Sequence, residues 1–133
     1  MDLVRAAYQL ALERSDPQRT ARSIDCFLEF LSDSVVFVPE GGAGLYRGRA
    51  ALKRLLEGAT QQWNSVRYEV DEIQQLGTCD VLVFGKVLAQ PDEGREPSEI
   101  PFANRWTLQK GRAVRIESLV NVEGLDSPPA PDG

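Results

Sequence analysis

Ile100-Pro-Phe-Ala-Asn-Arg-Trp-Thr-Leu-Gln109, then Lys110-Gly111, then Arg112-Ala-Val-Arg-Ile-Glu-Ser-Leu-Val-Asn-Val122 is the stretch on which the fold turns. Two runs rich in β-formers flank a two-residue turn, which is the pattern of an antiparallel hairpin. Working backwards, Gln90 to Ser98 is a polar loop with two prolines, and Val81 to Ala89 is nearly all apolar. Such a run reads as a strand buried on both faces. Ser65 to Leu76 alternates loosely through Val66, Tyr68 and Val70 and ends at a Gly77-Thr78 turn. Residues 65 to 122 therefore predict a four-strand antiparallel meander.

Upstream of Trp63 the period is helical. Leu52, Leu55, Leu56 and Ala59 share one stripe of a helix that starts near Ala50. Before it, Ser34-Val-Val-Phe-Val38 is a short buried strand stopped by Pro39. Glu40-Gly-Gly-Ala-Gly44 is a flexible loop, and no Gly-Lys-Ser/Thr follows to complete a phosphate cradle. Asp2 as N-cap with Leu3, Ala6, Ala7, Leu10 and Ala11 predicts a first helix, which Ser15-Asp16-Pro17 breaks. Ile24, Phe27, Leu28 and Leu31 predict a second, closed by Ser32-Asp33; Gln18 to Ser23 is either a loop or its first turns. The expectation is an α+β domain in the order α-α-β-α-β-β-β-β, with a curved antiparallel β-sheet wrapped around N-terminal helices. The mouth of such a wrap leaves a pocket.

The 133 residues suit one domain, read as residues 1–123, and the Pro-rich segment 124–133 reads as a disordered tail. Fifteen basic against twenty acidic side chains give a net charge of −5, so nothing attracts the whole chain to nucleic acid or an anionic membrane. Tyr46-Arg47-Gly48-Arg49 pairs cations with an aromatic, but two arginines make a weak nucleic-acid patch. The chain has no histidine. That removes Ser-His-Asp and Cys-His nucleophile systems, a histidine base and imidazole-ligated zinc. Asp and Glu oxygens are not clustered as hard cations require, so neither metal nor cofactor is expected. Cys26 and Cys79 are too far apart for a Cys-x-x-Cys site, and their apolar neighbours predict buried, reduced thiols. The N-terminus lacks the pattern of a secretory leader and no apolar run approaches ~18 residues, so the expected location is the cytoplasm.

Three stretches resemble one known family. Leu31-Ser-Asp-Ser-Val-Val-Phe-Val-Pro39 looks like its helix-to-strand entry, and Tyr46-Arg-Gly-Arg-Ala-Ala-Leu52 like its Tyr-x-Gly-Arg-x-Ala start of the third helix. Pro101 to Leu108 with Gly111 to Arg115 looks like its penultimate hairpin. In order and spacing the chain, over residues 3 to 122, resembles the SnoaL-like and ketosteroid-isomerase-like superfamily, whose fold is named after nuclear transport factor two. The resemblance implies a cone: strands curled round the long helix to enclose an apolar pocket, with pairs of chains commonly meeting sheet to sheet. The fold carries isomerases, cyclases, hydrolases and silent members, so function has to come from the site.

Carried over residue by residue, the resemblance implies two hydrogen-bond donors and a missing base. Tyr8, in Tyr8-Gln-Leu-Ala-Leu12, matches the isomerase's oxyanion-hole tyrosine. Asn104 falls where the isomerase has a protonated aspartate, and an amide donates without having to be protonated. Val38 stands directly before Pro39 where the isomerase has its catalytic aspartate, and valine abstracts no proton. Glu40 is the nearest carboxylate. Strand parity adds Trp106 beside Asn104 as a pocket wall, Ile116 and Ser118 on the last strand, and Phe84 and Lys86 on the second strand of the meander. With Ile116 and Ser118 inward, Arg115, Glu117 and Leu119 face out. The expected function is binding of a small hydrophobic molecule, extending to an enzyme that acts on a carbonyl, enol or epoxide, in a homodimer formed through the sheet. The alternative is a non-catalytic dimerisation or interaction module on the same fold.

Overall fold

The computed structural model describes residues 2–39, 44–92 and 94–119. In chain order the elements are α1 (Asp2–Ala7), β1 (Ala11–Glu13), α2 (Pro17–Leu28), β2 (Leu31–Val38), β3 (Tyr46–Arg47), α3 (Arg49–Gln62), β4 (Ser65–Leu76), β5 (Asp80–Gln90), β6 (Ser98–Gln109) and β7 (Arg112–Ser118). One seven-stranded sheet runs β1-β4-β5-β6-β7-β2-β3, with the helices against its inner face.

The meander is where the sequence puts it. β4, β5, β6 and β7 pair in succession, all antiparallel. Lys110 and Gly111 both take positive φ, 53° and 77°, the two-residue turn whose twist matches the flanking strands. Register breaks between Val70 and Glu72 and between Thr107 and Leu108 bend the long strands. The first lies near Gly85, which the sheet crowds. A Cβ there would stand 2.0 Å from the Glu69 carbonyl oxygen and 3.1 Å from the Phe102 ring. Only glycine lets β4 and the aromatic ring close on that point.

Four expectations are corrected. The first helix stops at Ala7, and the chain enters β1, paired with β4 through Leu12 and Val66. Leu10 and Leu12 are both buried, a period of two that the helical reading absorbed. The second helix stops at Leu28; Leu31 pairs with Ala113, so Leu31 to Asp33 belong to β2. β2 lies parallel to β7, because the whole meander intervenes before β7 returns beside it. The sheet is thus antiparallel apart from that one pair. Finally, Cys26 and Cys79 are free and exposed. Cys26 lies off the Thr20-Ile24-Leu28 stripe that α2 buries, and Cys79 follows the Gly77-Thr78 turn.

Side chains tie the helices to the sheet. Gln18 to Ser23 is helical: Pro17 opens α2, and Asp16 caps it by accepting from the Arg19 N–H at 3.1 Å. Thr20 and Ser23 then serve the open edge of β1, accepting from the N–H of Glu13 at 2.8 Å and of Ala11 at 2.9 Å. Gly48, at φ 85°, turns the chain into α3 and donates its N–H to Val35. The Arg49 guanidinium donates to the Leu31 carbonyl at 2.6 and 3.0 Å and meets Asp33 at 3.1 Å. Here the Gly-Arg of the quoted motif has a physical role: it hinges α3 onto β2. At the far end, Arg14 donates to the carbonyls of Thr60 and Gln61, which α3 leaves without helical partners. Glu40 and the segment 124–133 lie outside the described residues, so the expectations for both carry no structural account.

Candidate functional site

Closing α3 over the curled sheet leaves a cavity of about 600 Å3, a size that suits a drug-sized molecule. Its roof is the apolar stripe of α3, with Leu52, Leu55, Leu56 and Ala59. Its floor is aromatic. The Tyr8 ring stacks on Phe102 with centroids 5.3 Å apart, meets Trp106 at 5.4 Å and takes Tyr68 edge-on at 5.7 Å. Phe27 of α2 closes on Trp106 at 6.4 Å.

Tyr8 reaches this floor because α1 ends where it does. Its backbone N–H closes the last turn onto Val4 and Arg5, and the chain then swings into β1 with the phenol inside. The hydroxyl oxygen accepts two hydrogen bonds, from Asn104 Nδ2 at 2.8 Å and from Trp106 Nε1 at 2.7 Å. Asn104 and Trp106 are alternate residues of β6 and share its inner face, so one strand supplies both donors. Burial pushes the Tyr8 pKa well above that of a free phenol, and the two donated bonds only partly oppose it. Burial also holds Tyr68 up at about 12. Both phenols are neutral at physiological pH.

The other expected residues divide by strand parity. Ile116 and Ser118 line the cavity with Trp106, and Arg115 and Glu117 turn outward as a loose pair at 3.9 Å. Val38, Phe84 and Lys86 do not line it, which corrects their placement. On β2 it is Phe37 that faces in, while Val38 pairs with Glu117. On β5 the inward positions are Val83, Gly85 and Val87, and Lys86 stands outside, 3.8 Å from both Glu69 and Glu99. Because β5 is apolar on both faces, its sequence left the parity open.

Two cavity residues went unread although a signal existed. Phe102 has the parity of Asn104 and Trp106, and Tyr68 that of Val66 on a loosely alternating strand. The contribution of α3 had no such signal beyond its apolar stripe. Among the described lining residues the one charged side chain is Arg54, and none of them is a carboxylate, a lysine or a thiol. Among the described residues no cluster of three or more Cys, Asp or Glu is arranged to hold a metal ion, and no helix is long and apolar enough to cross a membrane.

Comparison with known proteins agrees with this architecture. A crystal structure of TerC with polyporic acid superposes with a TM-score of 0.72 at 21% identity, over 94% of this chain and 93% of that one. An NTF2-like protein of unknown function from Burkholderia pseudomallei gives 0.73 at 21% identity, over 94% and 92%. A putative polyketide cyclase from Sinorhizobium meliloti gives 0.65 at 21%, over 90% and 94%. At these identities the likeness establishes the cone fold. No curated protein matches the chain. The model of the SnoaL-like domain matches residues 4–116, from α1 into β7, and the chain belongs to that family.

Proposed function

We propose that this protein binds a small, largely apolar molecule bearing a carbonyl or enol oxygen, with Tyr8 donating a hydrogen bond to that oxygen. The observation that carries the reading is a polar group set at the bottom of an apolar aromatic cavity: the Tyr8 hydroxyl, between Phe102 and Trp106. A hydrogen bond donated in a dry site is stronger than one made in water and polarises the acceptor. The polyketide cyclase among the structural relatives, and the polyporic acid held by another, favour an oxygen-rich cyclic ligand. Asn104 acts in this reading through Tyr8, and not as the second direct donor that the resemblance implied.

Catalysis by proton abstraction needs a base within reach. The described lining residues offer no carboxylate, so Glu40 is the candidate for that role in an enzyme acting on a carbonyl, enol or epoxide. The test is a thermal-shift panel of aromatic polyketides, steroids and terpenoids. A ligand at a hundred times its Kd adds about 2.7 kcal/mol of apparent stability. At least one ketone or enol should raise the Tm of the wild type, and Tyr8→Phe should weaken its binding by about 0.5–1.5 kcal/mol. A panel that leaves the Tm unmoved overturns the reading. For any ligand that binds and turns over, Glu40→Gln should abolish turnover while leaving binding in place.

The outer face of the sheet supports pairing of two chains. Leu82 and Phe84 are only half-buried there, and Leu119 is 45% exposed at the end of β7. Sedimentation at micromolar concentration should give twice the 14.7 kDa chain mass, and a lone monomer counts against the dimer.

A further inference from the structure

Three atoms at the cavity floor do more than hold Tyr8 in place. The Trp106 indole is buried, and its N–H can only donate. A buried donor left unpaired forfeits its hydration with nothing in return, so the indole needs an acceptor, and Tyr8 supplies it at 2.7 Å. Asn104 Nδ2 donates to the same oxygen at 2.8 Å. A phenol oxygen has two acceptor sites and one hydrogen. Both acceptor sites are taken. Among the described residues no group accepts from the Tyr8 O–H, so that hydrogen is its one polar function left over for a ligand.

We infer that Trp106 and Asn104 lock the Tyr8 hydroxyl as a donor, and that the cavity thereby favours ligands presenting an acceptor oxygen at this point over ligands presenting an N–H or O–H there. Trp106 is a positioning residue in this scheme: it touches the ligand as a wall and acts on specificity through Tyr8. The inference rests on the proposed binding of an oxygen-bearing molecule and adds which polarity of group the site takes. Without the lock, a tyrosine hydroxyl would rotate to serve donors and acceptors equally. With it, a ligand's donor meets two occupied lone pairs.

Three tricyclic probes of one shape separate the possibilities: 9-fluorenone accepts only, carbazole donates only, and fluorene does neither. Fluorene serves to normalise changes in packing. Binding to the folded wild type and variants is measured by calorimetry, and the bound ketone's C=O stretch by infrared spectroscopy. In the wild-type background, Tyr8→Phe should weaken fluorenone about fivefold relative to fluorene and remove a downward shift of the stretch, with carbazole unchanged. In a Trp106→Phe background one lone pair is released, and the same Tyr8→Phe change should now weaken carbazole by about threefold. A purely structural Trp106 would alter the affinity of all three probes together and leave that coupling at zero. Asn104→Leu frees the other lone pair and repeats the test should Trp106→Phe not fold. Weakened carbazole binding on Tyr8→Phe in the wild-type background overturns the lock while leaving the ligand site standing. So does a coupling absent from both released backgrounds. Failure of all three probes to bind the wild type overturns the binding site and the lock together.

Discussion

The two faces of β5 and β6 are built on opposite terms. On the inner face Val83, Val87, Phe102 and Trp106 are at most 5% exposed, and the polar atoms that enter meet one another on the Tyr8 oxygen. On the outer face Lys86 stands 3.8 Å from Glu69 and Glu99, and Arg105 bonds Asp80 at 2.5 Å, with these side chains partly in water. The inner face carries few hydrogen bonds, each in a place where losing a partner leaves a buried group unpaired. The outer face carries whole charges, yet exposed pairs of this kind contribute only about 0–1 kcal/mol. By these magnitudes the interactions whose loss costs most lie where β5 and β6 carry no formal charge.

That contrast can be broken in order of size. Trp106→Ala opens a void under Tyr8 and should cost about 3–5 kcal/mol in chemical denaturation; a loss under ~1 kcal/mol would mean that the floor is not packed as described. Gly85→Ala drives a Cβ into the Glu69 carbonyl and should cost at least ~2 kcal/mol by separating β4 from β5. Val83→Ala removes volume without a clash and serves as its comparison on the same face.

The faces should also answer to opposite ends of the pH scale. Tyr8 and Tyr68 have folded pKa values raised by burial, so what they contribute is whole below pH 10, the ordinary phenol value, and is lost as pH rises, through about 12 for Tyr68. Tyr68→Phe should flatten the fall in denaturation midpoint from about pH 10 upward. Asp80 behaves in the other sense. The hydrogen bond from Arg105 holds its carboxyl below the ordinary 3.8, so its contribution is present above that value and fades as pH falls. Asp80→Asn should reduce the acid-side slope and leave the alkaline side alone. Smallest of all, Lys86→Met should change stability by less than ~1 kcal/mol in either direction, and more than that would show the outer face to be a structural site in its own right.

Much of this was legible in local pattern. The meander, the Lys110-Gly111 turn and the third helix follow from period and turn chemistry, because those signals lie within a dozen residues of chain. Asn104 came from the family resemblance; alternation then put Trp106 on the same face, with Ile116 and Ser118 inward on the last strand, and all four border the cavity. Tyr8 came from the family resemblance, on a helix expected to run further than it does. Phe84 and Lys86 went to the wrong face because β5 is apolar on both sides, and its parity is set by the neighbours of Gly85 and not by β5.

By itself, then, the sequence determined where the helical and meander segments lie, their order and the absence of histidine chemistry, since backbone propensity and side-chain type are local properties. Tertiary structure decided the rest. β1 is a strand only because β4 and the hydroxyls of α2 are there to take its hydrogen bonds, and β2 lies parallel to β7 only because the meander returns beside it. The state of the Tyr8 hydroxyl depends on donors about a hundred residues further along the chain, 96 and 98 positions away. A lone pair is free or taken according to what folding brings within 3 Å of it, and no periodicity in a sequence records that.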